Sequence, residues 1–323
     1  AAMRDESWKV TAAVMKKSCS SEIIRVTPGN GHQLSLGLAI DIGTTSIVVY
    51  LVDMADGTIL AATSGHNRQA ACGDDVINRI VCAEKDGVKK LSTMGLATIN
   101  GLINEAIDSA VVKREQIDNV VLSGNTTMIH LLLQIEPRYI RRDPYIPSVS
   151  AFPLLKAGNI GLKANPLAAV FIMPGPASYV GGDIVAGVMG SGMGHDERLT
   201  LYMDIGTNAE IVIGNKDWLV CAACSAGPAF EGGGIKMGMR AAKGAIEDFS
   251  IDPVTLEPMN ITIGNVRPKG ICGSGLITIV ATLFEVGIIN NSGKYNRDLD
   301  TPRIRETDGI YEYVLAWEDV SGI

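Results

Sequence analysis

The chain has 323 residues, 46% of them hydrophobic and 20% charged, which suits a globular protein with room for two lobes. A net charge of −7 argues against general affinity for nucleic acid. The N-terminus has no apolar core with a cleavage site, and no apolar run is long enough to span a bilayer. A cytoplasmic location with no membrane association is therefore expected.

Taken in chain order, residues 8–14 and 22–26 read as two short strands that pair, with Pro28-Gly29 as the stop. Residues 1–35 look like the tail of a middle or linker domain. An apolar run at 36–40 leads into Asp41-Ile-Gly-Thr-Thr-Ser46, and a second run follows at 47–52. Two β-rich runs around a Gly-Thr turn predict a β-hairpin. A turn at 53–57 and a run at 58–63 add a third antiparallel strand. Residues 74–113 read as helical, with Asp74 or Asp75 as cap. Within them a second helix is expected near 92–110, with Leu96, Ile99, Leu102, Ile103 and Ile107 on one side.

A buried strand at 119–122 runs into Ser123-Gly-Asn-Thr-Thr127 and a helix at 128–133. That unit sets polar groups at a sheet edge, where ligands bind in α/β folds. The Pro-rich segment 138–154 reads as a loop. A strand at 170–173 ends in Pro174-Gly-Pro and leads through Gly181-Gly-Asp183 to a helix at 184–189. The first lobe is placed at 36–199 and the second at 200–323. The second lobe opens with a near-copy of the first hairpin, in which Asp204-Ile-Gly-Thr-Asn-Ala209 lies between apolar runs at 201–203 and 210–213. A Gly-rich stretch at 226–235, Gly270-Ile-Cys-Gly-Ser-Gly275, a helix from Leu276 and a strand-like run at 311–316 complete the chain.

The repeated hairpin carries the chemistry. Glycine lets the backbone come close to a ligand. Turn N–H groups and hydroxyls donate to phosphate oxygens, and a carboxylate holds a hydrated Mg²⁺ that bridges them. Asp41 and Asp204 are thus the candidate metal ligands, against a plain role in capping turns. Gly43, Thr44, Thr45, Gly206, Thr207 and Asn208 are the candidate phosphate-binding residues. Two such hairpins, one per lobe, would clamp one nucleotide. Gly232, Gly233 and Gly234 form either a flexible turn or, with Gly273, Ser274 and Gly275, a flank for adenosine beside a helix N-terminus. Asp183 is either an N-cap or the group that orients the attacking water or the metal. Glu210 sits in a strand and can simply face solvent. Asn125 either caps its helix or touches the γ-phosphate. His130, among Leu131–Leu133, reads as a satisfied core histidine.

Six cysteines show no disulfide framework. Cys221-Ala-Ala-Cys224 has metal spacing without a second pair, so both are expected to be small buried residues beside a loop. No Walker A pattern is present, and Gly190-Ser-Gly-Met-Gly194 precedes a charged turn rather than an apolar helix.

The paired Asp-Ile-Gly-Thr hairpins and later Gly-rich turns resemble the superfamily of actin, heat-shock chaperones and sugar kinases. More closely, the chain resembles the ATPase portion of the reductive activators of corrinoid proteins. The matching stretches are Trp8-Lys-Val-Thr11, Asp41-Ile-Gly-Thr-Thr45, Gly73-Asp-Asp-Val-Ile-Asn-Arg-Ile80 and Gly124-Asn-Thr-Thr-Met128. Pro144-Tyr-Ile-Pro147, Gly181-Gly-Asp183, Asp204-Ile-Gly-Thr-Asn-Ala-Glu210, Gly227-Pro-Ala-Phe-Glu-Gly232 and Gly273-Ser-Gly275 follow in order. The resemblance implies an α/β, two-lobed actin-like ATPase with ribonuclease H-like lobes, preceded by a short β element, its second lobe incomplete. It implies ATP and Mg²⁺ as ligands, and ATP-driven reduction of Co(II) to Co(I) in a partner corrinoid protein. The electron would come from a reduced donor through a [2Fe-2S] domain that this chain lacks, since Cys19 stands alone before Cys72. The resemblance also suggests a homodimer. A small-molecule kinase and a nucleotide-dependent binding module remain the alternative readings.

Overall fold

The computed structural model describes the chain except residues 1–3, 5, 6, 18, 30–33, 207, 226 and 227. It divides into two units, one of residues 1–203 with 210–223 and one of 204–209 with 224–323.

The first unit is built on a six-stranded sheet. Its strands are β3 (Leu36–Ile42), β4 (Ser46–Asp53), β5 (Ile59–His66), β6 (Ile117–Gly124), β7 (Leu155–Lys156) and β8 (Ala169–Ile172), in the order β5-β4-β3-β6-β8-β7. The chain enters as the expected antiparallel meander, β3 to β4 to β5. It then crosses over through helices, so β6 and β8 lie parallel to β3. Strand alternation orients the sheet. Leu38, Ile40 and Ile42 are buried on one face of β3, whereas Ala39 and Asp41 are exposed on the other. The buried face carries α1 (Val76–Asp86), α2 (Val88–Ala110) and α3 (Thr126–Leu132), whose Ile99, Ile103, Met128 and Leu131 join the same core. Each such fully buried side chain contributes about 1.5–3 kcal/mol of transfer free energy.

Asp75 caps α1, its carboxylate accepting from the Asn78 N–H at 2.7 Å. Gly87, at φ 87°, ends α1 and starts α2. The second helix therefore begins at Val88 rather than near 92. A fourth helix, α4 (Gly182–Ser191), follows β8.

Strands β1 (Val10–Lys16) and β2 (Ser21–Pro28) pair antiparallel, as the sequence predicts. Arg25 of β2 is tied to Asp118 of β6, with Nε–Oδ1 at 3.1 Å and Nη2–Oδ2 at 2.7 Å. Asp118 also accepts from the Ser35 hydroxyl at 3.2 Å. Its side chain is buried, so the paired guanidinium and these hydrogen bonds offset its desolvation.

Strands β9 (Thr200–Ile205), β10 (Asn208–Gly214) and β11 (Leu219–Ser225) make a three-stranded sheet in the order β11-β10-β9. In the second unit, β12 (Ala245–Ile251) lies between antiparallel β13 (Pro258–Thr262) and parallel β14 (Gly270–Ile271). Helix α5 (Gly273–Glu285) packs on β12, with Ile246, Phe249, Ile279, Leu283 and Tyr313 in one core. A hairpin of β15 (Ile304–Thr307) and β16 (Ile310–Tyr313) completes it, so the run expected at 311–316 leaves the strand after Tyr313.

Candidate phosphate and metal site

In the first unit the candidate residues gather at the carboxyl ends of the three parallel strands, the edge at which open α/β sheets bind ligands. Asp41 lies opposite Ser123 in the β3–β6 register, and Ile42 lies opposite Gly124. The β3–β4 turn is Gly43-Thr44-Thr45. A Cβ on Gly43 would stand 2.5 Å from the Ser46 carbonyl oxygen, so only glycine fits this tight reversal.

The polar turn after β6 reaches this hairpin. Asn125 caps α3, its Oδ1 accepting from the Met128 N–H at 3.0 Å. Its Nδ2 donates to Thr44 Oγ1 at 3.0 Å. The turn after β8 arrives from the other side. A Cβ on Gly181 would lie 2.5 Å from Asn125 Cα and 2.7 Å from both Gly124 O and Asp183 Oδ1. The close approach at Gly181 thus brings Asp183, in the first turn of α4, near the Asn125 turn. Gly181, not Asp183, is the N-cap of α4. Asp183 stands in the first turn, where its carboxylate accepts from the Ile184 N–H at 2.9 Å and favours the positive end of the helix dipole.

His130 is wholly buried, as a core histidine. Its Nδ1 is 2.7 Å from the Thr126 carbonyl oxygen, which can only accept, so Nδ1 carries the proton. Nε2 accepts from the Val149 N–H at 3.4 Å. Burial holds its pKa below the ordinary histidine value.

In the second hairpin, the Gly206 N–H donates to the Asn208 carbonyl at 2.8 Å and closes the turn. Asp204 is partly buried, and the loss of solvation pushes its carboxyl above the usual aspartate value. A carboxylate short of solvent gains from a cation. Thr207 lies outside the described residues, and Glu210 is partly buried on β10. In the second unit the two Gly-rich turns are brought side by side. The segment after Gly232, Gly233 and Gly234 is stitched to β14, with Ile271 N–H to Met237 O at 2.8 Å and Met239 N–H to Ile271 O at 2.9 Å. Gly273, Ser274 and Gly275 form the first turn of α5, one turn earlier than the predicted start.

Cys221 and Cys224 depart from expectation. Both are exposed on β11, not buried beside a loop. Their spacing of three along a strand directs them to opposite faces, which a CxxC pattern on a turn would not. Among the described residues no group of three or more His, Cys, Asp or Glu side chains gathers as a metal site. The donor set at the hairpins, carboxylates with hydroxyls and N–H groups, suits a hydrated Mg²⁺ carried by phosphate rather than an ion held by protein alone. Among the described residues no helix is long and apolar enough to cross a membrane.

The sequence reading missed Asn67. It is fully buried, donates Nδ2 to Gly43 O at 2.9 Å, and gives its own N–H to Thr45 O at 2.9 Å. Its position at the end of β5, ahead of a short 3₁₀ turn it caps, was the available signal.

A meander-first sheet with polar, Gly-containing turns at its parallel strand ends, followed by a second unit with paired Gly-rich turns, is the α/β actin-like ATPase fold. Two family models match in series: the RACo middle region over residues 36–196 and the C-terminal domain of RACo, the ASKHA domain, over 198–323. The chain belongs to this family of reductive activators of corrinoid proteins. It is 35% identical over 300 residues to the corrinoid activation enzyme RamQ of Eubacterium limosum, covering 90% of this chain and 49% of that protein. It is 25% identical to the [Co(II) methylated amine-specific corrinoid protein] reductase of Methanosarcina barkeri, covering 80% of this chain and 52% of that one. A solved structure of a reductive activator for corrinoid, iron-sulfur protein superposes with a TM-score of 0.88 at 48% identity, covering 99% of this chain and 51% of that one. The chain thus spans about half the length of the relatives it matches.

Proposed function

We propose that the chain is the ATP-binding and ATP-hydrolysing portion of a reductive activator that drives Co(II) to Co(I) in a corrinoid protein of methyl transfer. The joining of Thr44, Asn125 and the Gly181–Asp183 turn at one end of the parallel strands carries this reading. Asp41 and Asp204 hold Mg²⁺ through water. The turns Gly43-Thr44-Thr45 and Gly206-Thr207-Asn208 donate to the phosphates of one ATP. Gly232–Gly234 and Gly273–Gly275 flank its adenosine, and Asp183 orients the attacking water. The single electron that converts Co(II) to Co(I) comes from a reduced donor through a [2Fe-2S] cluster outside these residues. ATP contributes because its bound and hydrolysed states favour different conformations of the activator, and so bias the bound corrinoid protein. The protein works in the cytoplasm, as a homodimer.

The test is Asp204→Asn in the full-length protein, with Mg-ATP binding followed by calorimetry and Co(I) formation by its absorbance in a corrinoid protein. Loss of both is the expected result. Unchanged Mg-ATP binding would overturn the site. If sugars accelerate ATP consumption and the corrinoid protein does not, the kinase reading replaces this one.

A further inference from the structure

We infer that Asn125 is a positioning residue for the nucleotide, which restricts the directions in which the Thr44 hydroxyl donates. This rests on the reading of the Gly43–Thr45 turn as a phosphate site. Both ends of the Asn125 amide are committed. Oδ1 accepts from the Met128 N–H at 3.0 Å and starts α3, while Nδ2 donates to Thr44 Oγ1 at 3.0 Å. An amide nitrogen can only donate, so Thr44 Oγ1 is the acceptor in this contact. The Thr44 proton must then point away from Asn125.

A free threonine hydroxyl rotates among three staggered positions. Here one is filled by the Asn125 contact, so the donor is confined to the other two before any ligand arrives. Residue 125 is closely packed: a Cβ added to Gly181 would stand 2.5 Å from its Cα, and its Oδ1 is held by the start of α3. The residues that meet here are 81 positions apart in sequence, and the β3–β6 register brings them together. Through this contact Asn125 lowers the cost of ordering Thr44, an advantage expressed in affinity.

The substitution that separates the two ends of the amide is Asn125→Ser. Serine caps a helix about as well as asparagine, so α3 keeps its start, but the donor to Thr44 is gone and no charge is added. In the full-length protein, ATP affinity by calorimetry should fall about tenfold, the scale of one hydrogen bond to a charged group, with the thermal midpoint nearly unchanged. In a Thr44→Val background the same substitution should change affinity less than about twofold, because coupled residues are not additive. Wild-type affinity in Asn125→Ser overturns the assignment. So does a tenfold loss that persists in Thr44→Val, which would mean Asn125 acts without Thr44. If Thr44→Val alone binds ATP like wild type, the phosphate reading of the turn fails instead, and the inference with it.

Discussion

Asn67 grips the Gly43 turn from beneath: its side-chain amide donates to the Gly43 carbonyl at 2.9 Å, from a position with no solvent exposure. Its main-chain N–H takes the Thr45 carbonyl at the same distance, and its Oδ1 accepts from the Gln69 N–H at 3.1 Å. With these carbonyls engaged on the protein side, the turn has a fixed conformation.

Asn67→Ala should therefore act on stability first. It strands the buried Gln69 N–H, at a cost of about 1–3 kcal/mol, and leaves the part-buried Gly43 carbonyl without its amide partner. Denaturant unfolding of the first unit should show a loss on that scale with an unchanged slope. ATP affinity should fall as well, since the turn is no longer held. A variant as stable as wild type would remove Asn67 from this role.

The parts of this architecture that were legible in the sequence are those written locally. Apolar, β-rich runs at β3 and β4 with a Gly-Thr turn between them are enough to define the hairpin. Apolar spacing in α2 defines its buried face, and the Asp74-Asp75 pair marks the start of α1, with Asp75 as the cap. What was not legible depends on distant pairing. Asn67 meets Gly43 only because β4 and β5 fold back on each other; its place as a cap after β5 marks a turn asparagine but does not reveal that partner. The choice between the two roles of Asn125 could not be made from its neighbours, because its second partner, Thr44, lies in the distant β3–β4 turn. The cysteines of β11 were misjudged because an uncharged run of small residues reads the same whether its strand is covered or open.

His130 makes the first unit sensitive to acid. Burial depresses its pKa in the folded state, whereas the unfolded chain keeps an ordinary histidine. Below about pH 6.5 the unfolded state thus binds a proton that the folded state refuses. Stability is fully present above that pH and is lost as pH falls through it, by up to about 1.4 kcal/mol per pH unit. Replacing the ring with glutamine should flatten this limb of the stability profile below about pH 6.5. An identical slope in wild type and His130→Gln would assign the acid sensitivity elsewhere.

The two hairpin glycines should respond differently to the same substitution, and the difference separates folding from ligand binding. Gly43 has no room: an added Cβ would meet the Ser46 carbonyl oxygen at 2.5 Å, a backbone atom that cannot step aside without opening the turn. Gly43→Ala should lower the thermal midpoint, with a strain cost of about 1–3 kcal/mol. Gly206 has space, since its nearest neighbour to a new Cβ is the Asn208 carbonyl oxygen at 3.7 Å. Gly206→Ala should leave the midpoint of the ligand-free protein within about 0.5 kcal/mol of wild type. If phosphate packs against that open backbone, the same methyl group will weaken Mg-ATP binding in a protein that is otherwise intact. Calorimetry and thermal melts on both variants read the two effects separately. A Gly206→Ala protein that melts normally and binds Mg-ATP normally would show that no ligand approaches this turn.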